Sequence, residues 1–442
     1  MTTTRTLLHN VTLVDSLARA LKPHRSLIIE DGRIKEDIHA ASAHPAEFSG
    51  VIDGSGQYAV PGFIDAHIHL RTSPHEGPSD MRPTPRLAPE DASSVDLDSY
   101  EQRAQTFLFC GVTSVYDAGN NSEAIRGVRA AERAGTILAP RIFCTGNLFS
   151  PPGGHGSTAG IHISEETDIK AAVAAHAALG PDLVKVTYDE HNWGVRPLVP
   201  FLSPQTLTRL INEIHEHGLK VTVHVSNELR AREAVDAGAD ILAHPVIQSP
   251  MTPGFAELLA TKRIPVVSTL AIGDRYFRLA DDPDFVDLPL YRACESEAER
   301  ERLRTTESDF QKGNRWADWM RVMTPIAQAN IRMLVEAGGI LATGTDQSFG
   351  PDYLRELELL SAAGLDNWDI LRAASSGAAA AIDQAGLLGS LDPGSLADIV
   401  LTEDNPHEDL TALSRLSDVI KNGAVVDRST LRLPANESVG RK

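Results

Sequence analysis

A (β/α)8 TIM barrel with a small β-sandwich built from both chain termini, an α/β fold, is what the sequence predicts. Three observations carry that expectation. Short apolar runs alternate with helical stretches through the middle of the chain. Those runs number eight, enough to close a parallel sheet into a barrel. Both ends instead alternate apolar and polar positions in short segments. A doubly wound open sheet is the alternative that the same alternation allows.

The first sixty residues hold LLHNVTLVD, SLIIEDGRI with an Asp31-Gly32 turn, and GVIDGSGQYAV, which read as strands and hairpins. From Pro61 the candidate barrel strands follow in order: FIDAH (63–67), TSVYD (113–117), RIFCT (141–145), DLVKV (182–186), KVTVH (220–224), DILAH (240–244), IPVVS (264–268) and ILATGTD (340–346). Between them lie segments of helical periodicity such as SYEQRAQTFLFCG, SPQTLTRLINEIHEHG and NELRAREAVDAG. Several stop at a glycine, which takes the left-handed conformation after a helix most readily.

After the helical ILRAASSGAAAAID (370–383) the alternation returns in GSLADIVLTED and DVIKNGAVVD. The expected division is residues 1–60 with 389–435 as a composite β-sandwich and residues 61–388 as the barrel. About seventy residues separate the seventh and eighth strands. Tyr276, Phe277, Phe285, Tyr291, Trp316 and Trp319 follow a strand on the side where barrels build active sites, so 271–325 reads as a lid-like insertion or substrate wall.

Composition excludes some functions. With 442 residues, 41 Lys and Arg against 60 Asp and Glu, and a formal charge of −19, the chain has no basic stripe for nucleic acid. Its three cysteines form no CxxC pair, which argues against a disulfide framework or thiolate zinc knuckle. The N-terminus lacks a signal-peptide pattern, and no apolar stretch is long enough to span a bilayer. A cytoplasmic protein acting on a small-molecule substrate, without nucleic-acid or membrane partners, is expected.

Eight of the 16 histidines, His176 among them, lie in polar or helical-surface contexts. His67 and His69 do not: they form an HxH at the end of the first candidate barrel strand, where residues two apart point to one side and both imidazoles can reach one metal. His224 ends the fifth strand, His244 the sixth and Asp346 the eighth, so all five would meet at the barrel mouth. Imidazole and carboxylate suit zinc and related divalent ions.

Lys185 sits inside the apolar fourth strand, where a lone ammonium is costly to bury. It faces outward and snorkels, pairs with an acid, or is neutral and adds carbon dioxide to become a carbamate able to bridge two metals.

With these residues in place the chain resembles the amidohydrolase superfamily of metal-dependent hydrolases over nearly its full length. PGFIDAHIHL resembles the family's opening motif, Lys185 its carboxylated lysine, VTVHV and ILAHP its later histidines, ATGTD its final aspartate, and GSLADIVL with KNGAVV its C-terminal sandwich strands. The resemblance implies a distorted barrel with two divalent metal ions, usually Zn²⁺. His67, His69 and Asp346 would hold the more buried ion, His224 and His244 the more exposed one, and a carbon dioxide-derived carbamate on Lys185 would bridge them. It also implies that Asp346 accepts the nucleophile's proton and passes it to the leaving group, and that the protein assembles as a homo-oligomer.

Within the family, the deaminase branch uses a glutamate just beyond the fifth-strand histidine and lacks the lysine. Glu228 follows His224 by four residues, but Lys185 is present, so hydrolysis of an amide-type bond is preferred. SPPGGHGS (150–157) resembles the prolidase-like and ochratoxinase-like members and implies a substrate-carbonyl or oxyanion contact for His155. Tyr188 is a candidate oxyanion donor, His191 and Trp193 candidate pocket residues, and Arg196 or Arg275 candidate carboxylate binders. Imidazolonepropionase-related ring opening on the same site is the alternative, and a non-catalytic metal-binding barrel the second alternative.

Overall fold

The computed structural model describes residues 5–72, 96–191, 198–313 and 315–439. Each predicted barrel strand forms: Phe63–Ile68, Val112–Asp117, Arg141–Cys144, Val184–Thr187, Val221–His224, Ile241–Leu242, Val266–Val267 and Leu341–Ala342. The first three pair in parallel with one another, as do the last five. Two seams complete the ring. Asp182 N donates to Cys144 O at 2.9 Å between the third and fourth strands, and Ala66 N donates to Thr343 O at 2.9 Å between the eighth and first. The sheet is closed, which excludes the open doubly wound alternative.

The last three barrel strands are two residues each, so the ladder is thin where the ring turns from His244 to Asp346. Apolar packing compensates. Ile64, Tyr116, Phe143, Leu183, Ile241, Val267 and Ala342 form one buried cluster with Ala378, Ala379, Ala381 and Ile382 from the last barrel helix. That cluster leaves the polar residues at the strands' C-terminal ends to line the mouth.

Both ends of the chain share one sheet. Arg5–Asp15 pairs antiparallel with Ala20–Glu30, and its other edge meets Gly50–Asp53 and then Tyr58–Pro61. Tyr58–Pro61 pairs in turn with Ile399–Thr402, which pairs with Leu416–Lys421. The long first strand changes register between Leu8 and Val11, where Asn10 has φ 56°, a bulge that bends the strand within the sheet. Leu8, Leu27 and Ile34 from the N-terminal strands and Ile399, Leu401 and Ile420 from the C-terminal ones then bury against each other.

The 271–325 segment departs from the lid-like expectation. It is a run of helices, from Leu270–Asp281 to the long Arg315–Glu336, whose aromatic residues pack on one another. Tyr276 meets Trp316 edge-on at 5.7 Å, Phe285 meets Tyr291 at 5.2 Å, and Tyr291 donates to Asp352 at 2.6 Å. Buried ion pairs fasten the layer: Arg103 to Glu295 at 2.8 Å and Arg275 to Asp352 at 2.7 Å. Aromatic spacing alone does not distinguish a pocket wall from the core of an added helical layer, and here it is core.

His176 also departs from its expected surface position. It is buried on the helix Ile169–Ala177, edge-on to Phe149 at 5.2 Å, and neither ring nitrogen has a hydrogen-bond partner. Burial pushes its pKa down to about 4. In the unfolded chain it titrates near its ordinary value, so between about pH 6.5 and pH 4 the unfolded state binds the extra proton and stability falls as pH falls. His176→Leu should therefore lose about 3 kcal/mol less than the native chain on going from pH 7 to pH 4. Urea unfolding at the two pH values checks this, and an equal loss in both proteins would sink it.

Candidate metal centre

Local structure brings six side chains together at the barrel mouth. His67 and His69 lie two apart at the end of the first barrel strand, so both face the mouth. Asp346 follows the eighth strand in a left-handed backbone conformation, φ 54°, pinned by Asp346 N donating to His67 O at 2.7 Å. Gly344 makes that approach possible: a Cβ there would stand 2.9 Å from His67 Cβ and 3.0 Å from His67 N. Asp65 braces both sides, accepting from Thr345 Oγ1 at 2.7 Å, Thr345 N at 3.0 Å and His67 N at 3.3 Å. A left-handed aspartate costs strain, and these bonds hold it in place.

The resulting distances are short. Asp346 Oδ1 lies 3.2 Å from His69 Nε2 and 3.8 Å from His67 Nε2, and one ligand atom from each of His67, His69 and Asp346 falls within 4.8 Å of the others. Lys185 Nζ is 3.4 Å from His67 Nε2. The rings of His67 and His244 are 4.8 Å apart, and those of His224 and His244 are 4.6 Å apart.

Electrostatics show what such a cluster can accept. Burial pushes His67 and His244 well below the ordinary histidine value, with the neighbouring bases adding to the shift, and burial lowers Lys185 to about 7. Burial alone would raise the Asp346 carboxyl, but the hydrogen bond from His69 and the basic groups His67, His69 and Lys185 around it hold it well below the usual carboxylate range. His67 and His244, which burial keeps from protonating, and one ionised carboxylate present lone pairs and negative charge to the same centre, which fits a divalent cation.

Two of the imidazoles are oriented from behind. His69 Nδ1 donates to Gly119 O at 2.7 Å, which turns its Nε2 into the cluster. His244 Nδ1 is 2.9 Å from Thr269 Oγ1. Thr269 has φ 41°, an uncommon conformation for a β-branched residue, and its amide donates to Gly344 O at 3.1 Å.

The amidohydrolase family model matches residues 58–426. The chain belongs to the amidohydrolase family. An uncharacterised protein of Mycobacterium bovis is 27% identical over 218 residues, 49% of this chain and 50% of that protein, so the chain spans about half the length of that relative. Imidazolonepropionase of Thermoanaerobacter pseudethanolicus is 22% identical over 90% of this chain and 88% of its own. A solved Xaa-Pro dipeptidase with bound methionine superposes with a TM-score of 0.74 over 96% of this chain and all of that one, at 20% identity.

In this amidohydrolase, His155 also reaches the centre. Its ring stacks on His224 at 4.1 Å and 14°, and its carbonyl accepts from Thr187 Oγ1 at 2.9 Å. The glycines of the motif serve that placement, since Gly153 and Gly156 both have φ 73° and a Cβ on Gly154 would press on Pro200 O at 2.5 Å.

Tyr188 does not join it, which corrects the expectation of an oxyanion donor. Three residues beyond Lys185 is the opposite face of the strand. Its hydroxyl donates to Glu233 at 2.8 Å, among Phe201 and Arg230 in the helical layer. Arg275 is likewise committed to Asp352. Glu228, the residue weighed for a deaminase, accepts from Thr252 N and Oγ1, each at 2.6 Å, and pairs with Arg232 at 2.7 Å. His191 stands at the rim with its ring 3.7 Å from Glu190 Oε1, and Trp193 and Arg196 lie outside the described residues.

The sequence pattern alone did not single out one further group. Asp189, buried beside His224, lies four residues after Lys185 and two past the strand's last residue, where the strand's alternation, continued, keeps it on the side of Lys185; that even spacing is the signal that could have found it.

Proposed function

We propose that this amidohydrolase is a metal-dependent hydrolase that cleaves an amide-type C–N bond of a small substrate: an N-acyl amino acid, dipeptide, aryl amide or carbamate. The observation that carries the reading is the convergence of His67, His69, Lys185, His224, His244 and Asp346 from the ends of five barrel strands. His67, His69 and Asp346 would hold one divalent ion, His224 and His244 a second, and a carbamate on Lys185 would lie between them. Imidazole and carboxylate donors favour zinc. When bound, such ions supply Lewis acidity and lower the pKa of water toward neutrality.

The chain's own residues supply the rest. Asp346, ionised and fixed by its backbone bond to His67, takes a proton from the attacking water and returns it to the leaving amine. His155, stacked over His224, is placed to bind the substrate carbonyl. Cyclic-amide ring opening is the second reading, favoured by the imidazolonepropionase relative.

The test is a panel of N-acyl amino acids, dipeptides, aryl amides, carbamates, imidazolones and lactones, assayed with zinc-loaded and chelator-treated enzyme. Zinc-dependent turnover of linear amides or carbamates is expected. Turnover of lactones alone, or turnover that survives chelation, would overturn the proposal.

A further inference from the structure

Asp189 has no part in the ligand set above, yet it is built into the centre. Its side chain is fully enclosed, and Oδ2 lies 3.4 Å from His224 Nε2. Oδ1 accepts from Ser226 Oγ at 2.6 Å and from His191 N at 3.0 Å, so the carboxylate is pinned and cannot turn away from the ring. The His224 ring is also fixed, stacked on His155 at 4.1 Å and edge-on to His244 at 4.6 Å.

We propose that Asp189 is a positioning residue that fixes the tautomer of His224, keeping hydrogen on Nε2 and turning Nδ1 toward the metal. An ionised carboxylate only accepts, so the nitrogen facing it must carry the hydrogen, and a neutral imidazole then has its lone pair on the other nitrogen. His69 and His244 are engaged from behind through Nδ1 by a carbonyl and a hydroxyl. His224 is engaged through Nε2 by an anion, so it ligates through the opposite nitrogen. A carboxylate behind a ligating imidazole makes it more basic and strengthens its hold on a cation. The Asp189 carboxylate, held by the His191 amide and the Ser226 hydroxyl, thereby tunes the more exposed half of the centre through the His224 ring.

The metal part of this inference rests on the proposed two-ion function, and the tautomer part does not. Nitrogen-15 spectra of imidazole-labelled, metal-free protein, with His224 assigned by loss of its signal in His224→Gln, should show hydrogen on Nε2. In Asp189→Asn the amide can donate to Nε2, and the hydrogen should move to Nδ1. Zinc titration should then show two ions in the native protein. In D189N the first ion should be retained and the second weakened by about 10- to 100-fold, with Ser226→Ala falling between. Hydrogen on Nδ1 in the native protein, or equal second-ion affinity in D189N, would overturn the role of Asp189. Loss of both ions in D189N would do the same, because it would make Asp189 a ligand instead. A native protein that binds no zinc but shows the Nε2 tautomer would overturn the two-ion function and leave the positioning of His224 standing.

Discussion

Asp346→Asn should lower turnover by about 10³-fold while leaving a folded protein. The substitution is nearly isosteric, and asparagine tolerates the left-handed conformation, φ 54°, that this position requires. The backbone bond from residue 346 to His67 O and the bracing of Thr345 by Asp65 do not involve the altered atoms. What disappears is the charge facing His67, His69 and Lys185, and with it both the anionic ligand and the acceptor for the nucleophile's proton. The carboxyl is held well below the usual range, so it stays ionised through the neutral region and the amide cannot be compensated by raising pH. Zinc per chain should also fall, the ion at His67 and His69 being the one weakened. Steady-state kinetics, metal analysis and a thermal melt check the three parts. A variant within about tenfold of native turnover would remove Asp346 from the proton-transfer role.

That such a residue is legible in the sequence has a simple cause. His67, His69, His224 and Asp346 end runs whose apolar character marks them as barrel strands, and the C-terminal end of every barrel strand opens on the same mouth. Other features need long-range information. Ring closure depends on Asp182 meeting Cys144 and Ala66 meeting Thr343, pairings between segments that local periodicity treats independently. The aromatic residues of 271–325 fit a pocket wall or a core equally well until Tyr276 is placed against Trp316 and Tyr291 against Asp352. Tyr188 and Asp189 show a different failure. Both are polar and close to Lys185, and proximity favours the tyrosine; the two-residue period of a strand favours the aspartate, and the structure follows the period.

Lys185→Ala should lower turnover at least as much as Asp346→Asn, and a small carboxylic acid should restore part of it. The amine is enclosed, 3.4 Å from His67 Nε2, with burial lowering its pKa to about 7. At pH 8 the unfolded chain carries this lysine charged and the folded one carries it neutral, a difference that costs the fold about 3 kcal/mol while the lysine is unmodified. Truncation to alanine removes that cost and loses packing worth about 2–5 kcal/mol, so the two effects largely offset and the variant should fold. A neutral amine adding carbon dioxide forms an N–C bond, releases one proton and becomes a carbamate, whose two oxygens would lie between the two ion positions. Alanine cannot form it. Formate, acetate or propionate can enter the space left by the side chain and present the same two oxygens. The expected record is therefore a folded variant with less than two zinc ions per chain, turnover near background, and activity that rises with added carboxylate and saturates. Unchanged turnover would remove the carbamate from the proposed centre, and loss without carboxylate rescue would leave Lys185 as a bare amine acting through His67.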